Sequence, residues 1–317
     1  MSPLPSGLRG SVPALVTPFL PGDPGALDET ALARLAERAI AGGSTAVVVC
    51  GTTGEAPMLR PAEACRALRV VVEAVGGRAA VVAGIGLPGT EAAAEAAGAA
   101  ERCGADALLV SAPPYVRPGQ EGLRAHVRAV AAASGLPVVL YDVPSRTAVG
   151  FADETVARLV EDGAIAALKD ATGDLARPPR LRALCGAGLR QLSGDDATAV
   201  AHLAMGGAGC VSVTANVVPA LCTAVQDAWS LRDSARVEAL RDRLAPLHRA
   251  LFAETNPGPV KAALGLLGLC DPTPRLPLTL AAATTRALLA HLLQALRGPE
   301  AAEAGAMLVH PVRVAAE

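Results

Sequence analysis

Eight short apolar runs recur along the chain: Val12–Val16, Ala46–Cys50, Ala79–Ala83, Ala107–Val110, Pro137–Tyr141, Ile165–Lys169, Leu189–Leu192 and Cys210–Val213. Each is continuously apolar rather than alternating, the pattern of strands in a parallel sheet covered on both faces. Between them lie segments with apolar residues at helical spacing, such as Asp28–Ala41, Pro61–Val75, Thr90–Cys103 and Asp153–Glu161. Asp28 is placed to cap the first of these, and Gly42-Gly43 to end it. Eight strand–helix units within about 225 residues predict an α/β fold, a (β/α)8 TIM barrel over residues 1–226. From Asp227 onward the pattern is helical only. Residues 227–297 are therefore expected to form a C-terminal helical appendix, and 298–317 a weakly specified, flexible tail.

Composition narrows the functions open to such a fold. Hydrophobic residues make up 51% and charged residues 18%, which excludes disorder over most of the length. A formal net charge of −2 leaves no electrostatic footprint for nucleic acid. Six aromatic side chains cannot build a stacking platform for single strands. The seven cysteines are irregularly spaced with no C-x-x-C, so reduced thiols are expected rather than disulfides or zinc. The five histidines lack metal-ligand spacing, and no metal or cofactor is expected. Prolines interrupt the N-terminal segment where a signal peptide needs an apolar run. The uncharged stretch Leu203–Gln226 contains Gly206-Gly207, Asn216 and Pro219, and is expected to be a strand followed by a helix start, not a membrane span. A soluble, cytoplasmic protein acting on small molecules is the expectation.

In a barrel of this kind the chemistry sits at the C-terminal ends of the strands. The residues there are Thr17, Gly51-Thr52-Thr53-Gly54-Glu55, Gly84, Ser111, Tyr141, Lys169, Ser193-Gly194-Asp195-Asp196 and Ser212-Val213-Thr214. Two rare residue types fall among them. Of 28 basic residues only Lys169 and Lys261 are lysine, and Tyr115 and Tyr141 are the two tyrosines. Where a chain uses arginine almost everywhere, a surviving lysine marks a place where arginine does not serve. Arginine cannot lose its proton, whereas a desolvated lysine can, and can then attack a carbonyl. Lys169 is thus a candidate Schiff-base nucleophile, the alternative being half of an ion pair with Asp170. Lys261, early in a helix outside the barrel, is expected at a surface or interface.

Other segments allow more than one chemistry. Gly51-Thr52-Thr53-Gly54 is either an ordinary βα turn or a small-carboxylate site built from backbone N–H groups and two hydroxyls. Gly84-Ile85-Gly86-Leu87-Pro88-Gly89 matches G-x-G-x-x-G, a dinucleotide fingerprint. Its acidic partner would be Asp106, which precedes the next strand instead of ending it, so a nicotinamide oxidoreductase is disfavoured. Tyr141 and Arg146 leave one strand as a phenol and a guanidinium, a proton relay beside a carboxylate clamp.

With GTTGE, YDVPSRT, LKDATGD, LSGDDAT, VSVTANV and NPGPVK in this order, the chain from about Gly10 to Leu280 resembles the dihydrodipicolinate synthase family, in the larger group that includes N-acetylneuraminate lyase. The resemblance implies a class I aldolase in which Lys169 forms an imine with pyruvate. Thr52 and Thr53 would hold the pyruvate carboxylate. Tyr141 would move protons, linked through Thr52 to a Tyr115 supplied by the neighbouring subunit, within a homotetramer. Arg146 would bind the carboxylate of aspartate semialdehyde, and Gly194 and Val211 would add main-chain contacts. A lyase for a sugar-derived 2-keto acid is the alternative within the same group, and Arg146 argues against it. Lysine-inhibited members carry polar residues where this chain has Ala56, Pro61, Ala64, Pro88, Ala92 and Pro114, so feedback by lysine is expected to be weak or absent.

Overall fold

The computed structural model describes residues 3–296, so the predicted tail lies outside the described residues. Ten strands are present among them: β1 (Gly10–Pro13), β2 (Phe19–Leu20), β3 (Asp23–Leu27), β4 (Ala46–Val49), β5 (Ala80–Ile85), β6 (Ala107–Ser111), β7 (Val138–Asp142), β8 (Ala167–Asp170), β9 (Arg190–Ser193) and β10 (Gly209–Ser212). Eight of them form one parallel sheet in the order β1-β10-β9-β8-β7-β6-β5-β4. A parallel bridge between Ala14 and Val48 joins the two ends, with Leu15 N–H donating to the Val48 carbonyl at 2.9 Å. All eight predicted strands are therefore present in a (β/α)8 barrel. The β2–β3 hairpin gives no apolar run in the sequence and was not anticipated.

The strands read as uniformly apolar because both of their faces are covered. Val12, Val48, Val82, Leu109, Val139, Ala167, Leu192 and Val211 pack inside the barrel. Their neighbours Val47, Val49, Val81, Leu108, Val110, Leu140 and Leu168 face the surrounding helices. Among those helices, Glu29–Ala41 starts where Asp28 accepts from the Ala31 N–H, as its sequence predicts, and Pro61–Val75 ends at Gly76 in the left-handed region. The helices Ser234–Ala250, Gly258–Leu266 and Ala283–Ala295 follow the barrel and share one apolar core with the helix Pro219–Ser230. This appendix covers part of the strands' C-terminal rim.

The inside–outside alternation gives one strand pair two jobs. In β7 and β8, Tyr141 and Lys169 pair and point inward, while Asp142 and Asp170 pair and point outward. Arg177 reaches both carboxylates, donating to Asp142 at 2.7 Å and Asp170 at 3.3 Å, and also to Asp153 at 2.8 Å. Burial pushes the Asp142 carboxyl above its ordinary range, and Arg177 opposes the shift. Arg177→Met would leave two adjacent carboxylates buried with no cation. We expect it to lower the unfolding free energy by about 3–5 kcal/mol. Urea denaturation measures this, and a loss below about 1 kcal/mol would match a solvated surface pair instead.

Candidate active site

At the C-terminal rim the strands open into a cavity of about 530 Å³. Thr52, Thr53, Tyr141, Arg146, Lys169 and Gly194 all line it, so six of the eight predicted site residues meet in one space. Lys169 is 6% exposed and Tyr141 9%, and the Lys169 amine stands 4.0 Å from the centre of the Tyr141 ring. The ion pair between Lys169 and Asp170 that the sequence also allowed is absent: the Asp170 carboxylate is turned outward to Arg177 and to the Thr172 hydroxyl and N–H. The amine is left facing the cavity.

The loop after β4 is a compact turn held from several sides. Gly54 N–H donates to the Gly51 carbonyl and Glu55 N–H to the Thr52 carbonyl, each at 3.1 Å. The Thr17 hydroxyl donates to the Gly54 carbonyl at 2.6 Å. From the appendix, the Asn256 side-chain amide donates to the Thr53 hydroxyl at 3.0 Å, while Arg146 donates to the Asn256 carbonyl at 3.3 Å. Asn256 thereby links the β4 loop to the β7 loop. Its motif, NPGPVK, is visible in the sequence, but nothing in the spacing assigns Asn256 to the rim.

Strand ends β9 and β10 close the other side. A Cβ on Gly194 would lie 2.8 Å from the Ala171 Cβ and 3.1 Å from the Lys169 Cε, so only glycine lets this backbone pass the lysine stem. The buried Asp196 carboxylate accepts from the N–H groups of Val213 at 2.8 Å and Thr214 at 3.0 Å, fixing the exit of β10. Val213 lines the cavity. Val211 does not: its side chain fills the barrel interior two residues earlier. His248, Arg249 and Phe252 of the appendix complete the wall, and the sequence offered no signal for them.

Tyr115 stands apart. It is 93% exposed, has a φ of 74°, and does not line the cavity within this chain. Lys261 corrects an expectation: it is not on the surface but fully buried, with its amine 2.6 Å from the Glu55 carboxylate. Burial pushes its pKa down, and Glu55 opposes the shift. The G-x-G-x-x-G segment has a packing explanation, because a Cβ on Gly84 would collide with the Cys50 carbonyl. Asp106 accepts from the Val81 N–H near the start of β5, at the opposite end of the barrel from the site.

The chain is similar to known proteins over nearly its whole described length. The model of the "Dihydrodipicolinate synthetase family" matches residues 7–296. A 4-hydroxy-tetrahydrodipicolinate synthase from Hyphomonas neptunium is 50% identical over 283 residues, covering 89% of this chain and 96% of the relative. One from Rhodospirillum centenum is 48% identical over 278 residues, covering 88% and 94%. Among solved structures, the chloride-inhibited dihydrodipicolinate synthase from Acinetobacter baumannii, complexed with pyruvate, superposes with a TM-score of 0.87 at 38% identity, covering 95% of this chain and all 100% of that one. The enzyme from Aquifex aeolicus gives 0.88 at 35% identity, covering 92% and 99%. With a barrel, a rim lysine and a match across nearly the whole described length, this chain belongs to the dihydrodipicolinate synthase family of class I aldolases.

Proposed function

We infer that the chain condenses pyruvate with L-aspartate 4-semialdehyde, the 4-hydroxy-tetrahydrodipicolinate synthase reaction, and that Lys169 carries the pyruvate as an imine. The observation that carries this assignment is the Lys169 amine, buried against Tyr141 in a cavity that also holds Thr52, Thr53 and Arg146. The Lys169 amine attacks the pyruvate carbonyl, and water leaves as the imine forms. Tyr141 is the group placed to pass protons at this step. The Thr52–Thr53 turn supplies N–H and hydroxyl donors to the pyruvate carboxylate. Loss of a methyl proton gives the enamine, which attacks the aldehyde carbon of the semialdehyde. Arg146, at the exposed lip of the cavity, clamps the semialdehyde carboxylate. Cyclisation then frees Lys169 and delivers the precursor of diaminopimelate and lysine.

Tyr115 completes the proton path only from outside this chain. A bare phenol on a left-handed turn fits a side chain offered to a neighbouring subunit, and we assign the working form as a homotetramer built from dimers. Reduced thiols and the absence, among the described residues, of any helix long and apolar enough to cross a membrane support a cytoplasmic location.

The places that are polar in lysine-inhibited relatives lead to a different space. A cavity of about 800 Å³, larger than the catalytic one, lies between the helices Pro61–Val75 and Thr90–Arg102. Ala56, Pro61, Ala64 and Ala92 line it with Leu59, Leu68 and Leu87. Glu95 and Arg102 also line it, but the four positions that are polar in lysine-inhibited relatives are apolar here, which supports weak or absent feedback.

Four measurements test these assignments. Borohydride reduction in the presence of pyruvate should leave one adduct, on Lys169 by peptide mapping, and Lys169→Arg should abolish it; an unlabelled Lys169 would sink the imine. Turnover of sialic or 2-keto-3-deoxy acids in place of the semialdehyde would assign the lyase reaction instead. Gly194→Ala, which presses on Ala171 and the Lys169 stem, should slow imine formation about 10- to 100-fold with the fold intact. Finally, activity should be unchanged at millimolar lysine, and half-inhibition in that range would show that the apolar cavity does not decide feedback.

A further inference from the structure

The second lysine has no place in the chemistry above, yet it is fully buried, as is its partner Glu55. Glu55 directly follows Gly54 of the carboxylate-binding turn and has a φ of 56°, the left-handed region that a residue with a side chain seldom adopts unaided. Something must therefore hold it there. Both of its carboxylate oxygens are engaged: one accepts from the Lys261 amine at 2.6 Å, the other from the Arg275 N–H at 2.8 Å. The same amine donates to the Thr273 carbonyl at 2.9 Å and lies 4.2 Å from the centre of the Phe19 ring. Arg275 covers that ring at 4.3 Å and ties Glu63 to the assembly at 2.7 Å. With both side chains 0% exposed, this ammonium has no contact with solvent.

Two grips from one segment thus converge on the turn. Asn256 holds the Thr53 hydroxyl, and five residues later Lys261 holds Glu55. Between these anchors lie Thr53, Gly54 and Glu55, so a shift of the Glu55 carboxylate is transmitted directly to the threonine backbone. The site also explains why arginine, used almost everywhere else, is absent here. An ammonium finds a carboxylate, a carbonyl and a ring face, which suffice for it. A guanidinium would bring five N–H donors into a volume with no room or partners for them.

We propose that Lys261 is a positioning residue: through its buried salt bridge to Glu55 it sets the Thr52–Thr53 turn and so the enzyme's hold on the pyruvate carboxylate. This rests on the assignment of that turn as the pyruvate carboxylate site. A group that acts through pyruvate binding alone leaves the later half of the reaction untouched. Because the two substrates react in succession through a covalent intermediate, kcat/KM for each reports its own half-reaction.

The test is Lys261→Met in the full-length enzyme, with kcat/KM measured separately for pyruvate and for aspartate semialdehyde, and borohydride trapping run in parallel. The expected result is a fall of about tenfold or more for pyruvate, carried by KM, with the value for the semialdehyde within about twofold of wild type. Lys261→Met leaves Glu55 charged and unpaired, so the neutral pair Glu55→Gln/Lys261→Met, with no buried charge to strand, is measured alongside and should show the same selective loss. Equal losses for both substrates, or an unchanged pyruvate value in either folded variant, would overturn the proposal. If wild-type Lys169 traps pyruvate and the variants bind it normally, only the positioning role fails; if wild-type Lys169 does not trap it, the site assignment fails with it.

Discussion

The register of β7 against β8 is the constraint on which the site depends. Parallel pairing sets Tyr141 beside Lys169 and, one residue on, Asp142 beside Asp170. Because successive side chains in a strand point to opposite faces, the first pair must enter the barrel and the second must leave it. A slip of β8 by one residue would turn Asp170 into the cavity and Lys169 toward the helices. Arg177 guards against that slip, since it can satisfy Asp142, Asp170 and Asp153 only when both carboxylates of the outward pair are presented together. The same ion cluster draws Asp170 away from Lys169. An outward structural contact thereby leaves an inward amine without a carboxylate of its own strand.

Eight strands make a rim but do not by themselves make a pocket. The β4 loop is fixed on its barrel side by Thr17 and on its outer side by the appendix, through Asn256 and Lys261. Arg146 donates to the backbone carbonyl of the same Asn256, so the loops after β4 and β7, to which the two substrate carboxylates are assigned, are referenced to one residue. His248 belongs to this arrangement as well, its ring nitrogen 2.7 Å from the Thr214 hydroxyl at the exit of β10. The helical segment after the barrel is thus part of the catalytic architecture, a wall that reaches the loops no strand can hold.

The barrel was legible because its signal is local. A strand buried on both faces is an uninterrupted apolar run, and eight such runs alternating with capped helices leave few other arrangements. Lys169 and Tyr141 were legible for a related reason, since each ends such a run. The β2–β3 hairpin was not, because Asp23-Pro24-Gly25 is exposed and carries no periodicity. Val211 shows a finer limit: the strand was found, yet whether residue 211 or 213 borders the cavity depends on where β10 leaves the sheet, and Asp196, from another strand end, decides that. Asn256, Arg249 and Phe252 were missed because their partners lie more than a hundred residues away or across open space. Tyr115 could be given a role only by resemblance, since within one chain it touches nothing that would explain it.

Lys261 shows what kind of signal was overlooked. Its helix, Gly258–Leu266, is buried on every side from Gly258 to Leu264, and its sequence GPVKAALGL is apolar all round, which marks a helix within a core. A lysine in such a helix cannot be a surface residue and must find an anion, because an unpaired buried ammonium is too costly to keep. Both of the two lysines are thus buried at positions that constrain them, but the physical reasons differ. In the proposed mechanism Lys169 must be able to lose a proton, which arginine cannot do, whereas Lys261 meets a carboxylate, a carbonyl and a ring face that suit an ammonium. Rarity alone does not separate these cases. The helix period does, since it shows whether water can reach the charge, and a charge that water cannot reach points to the residue it must pair with.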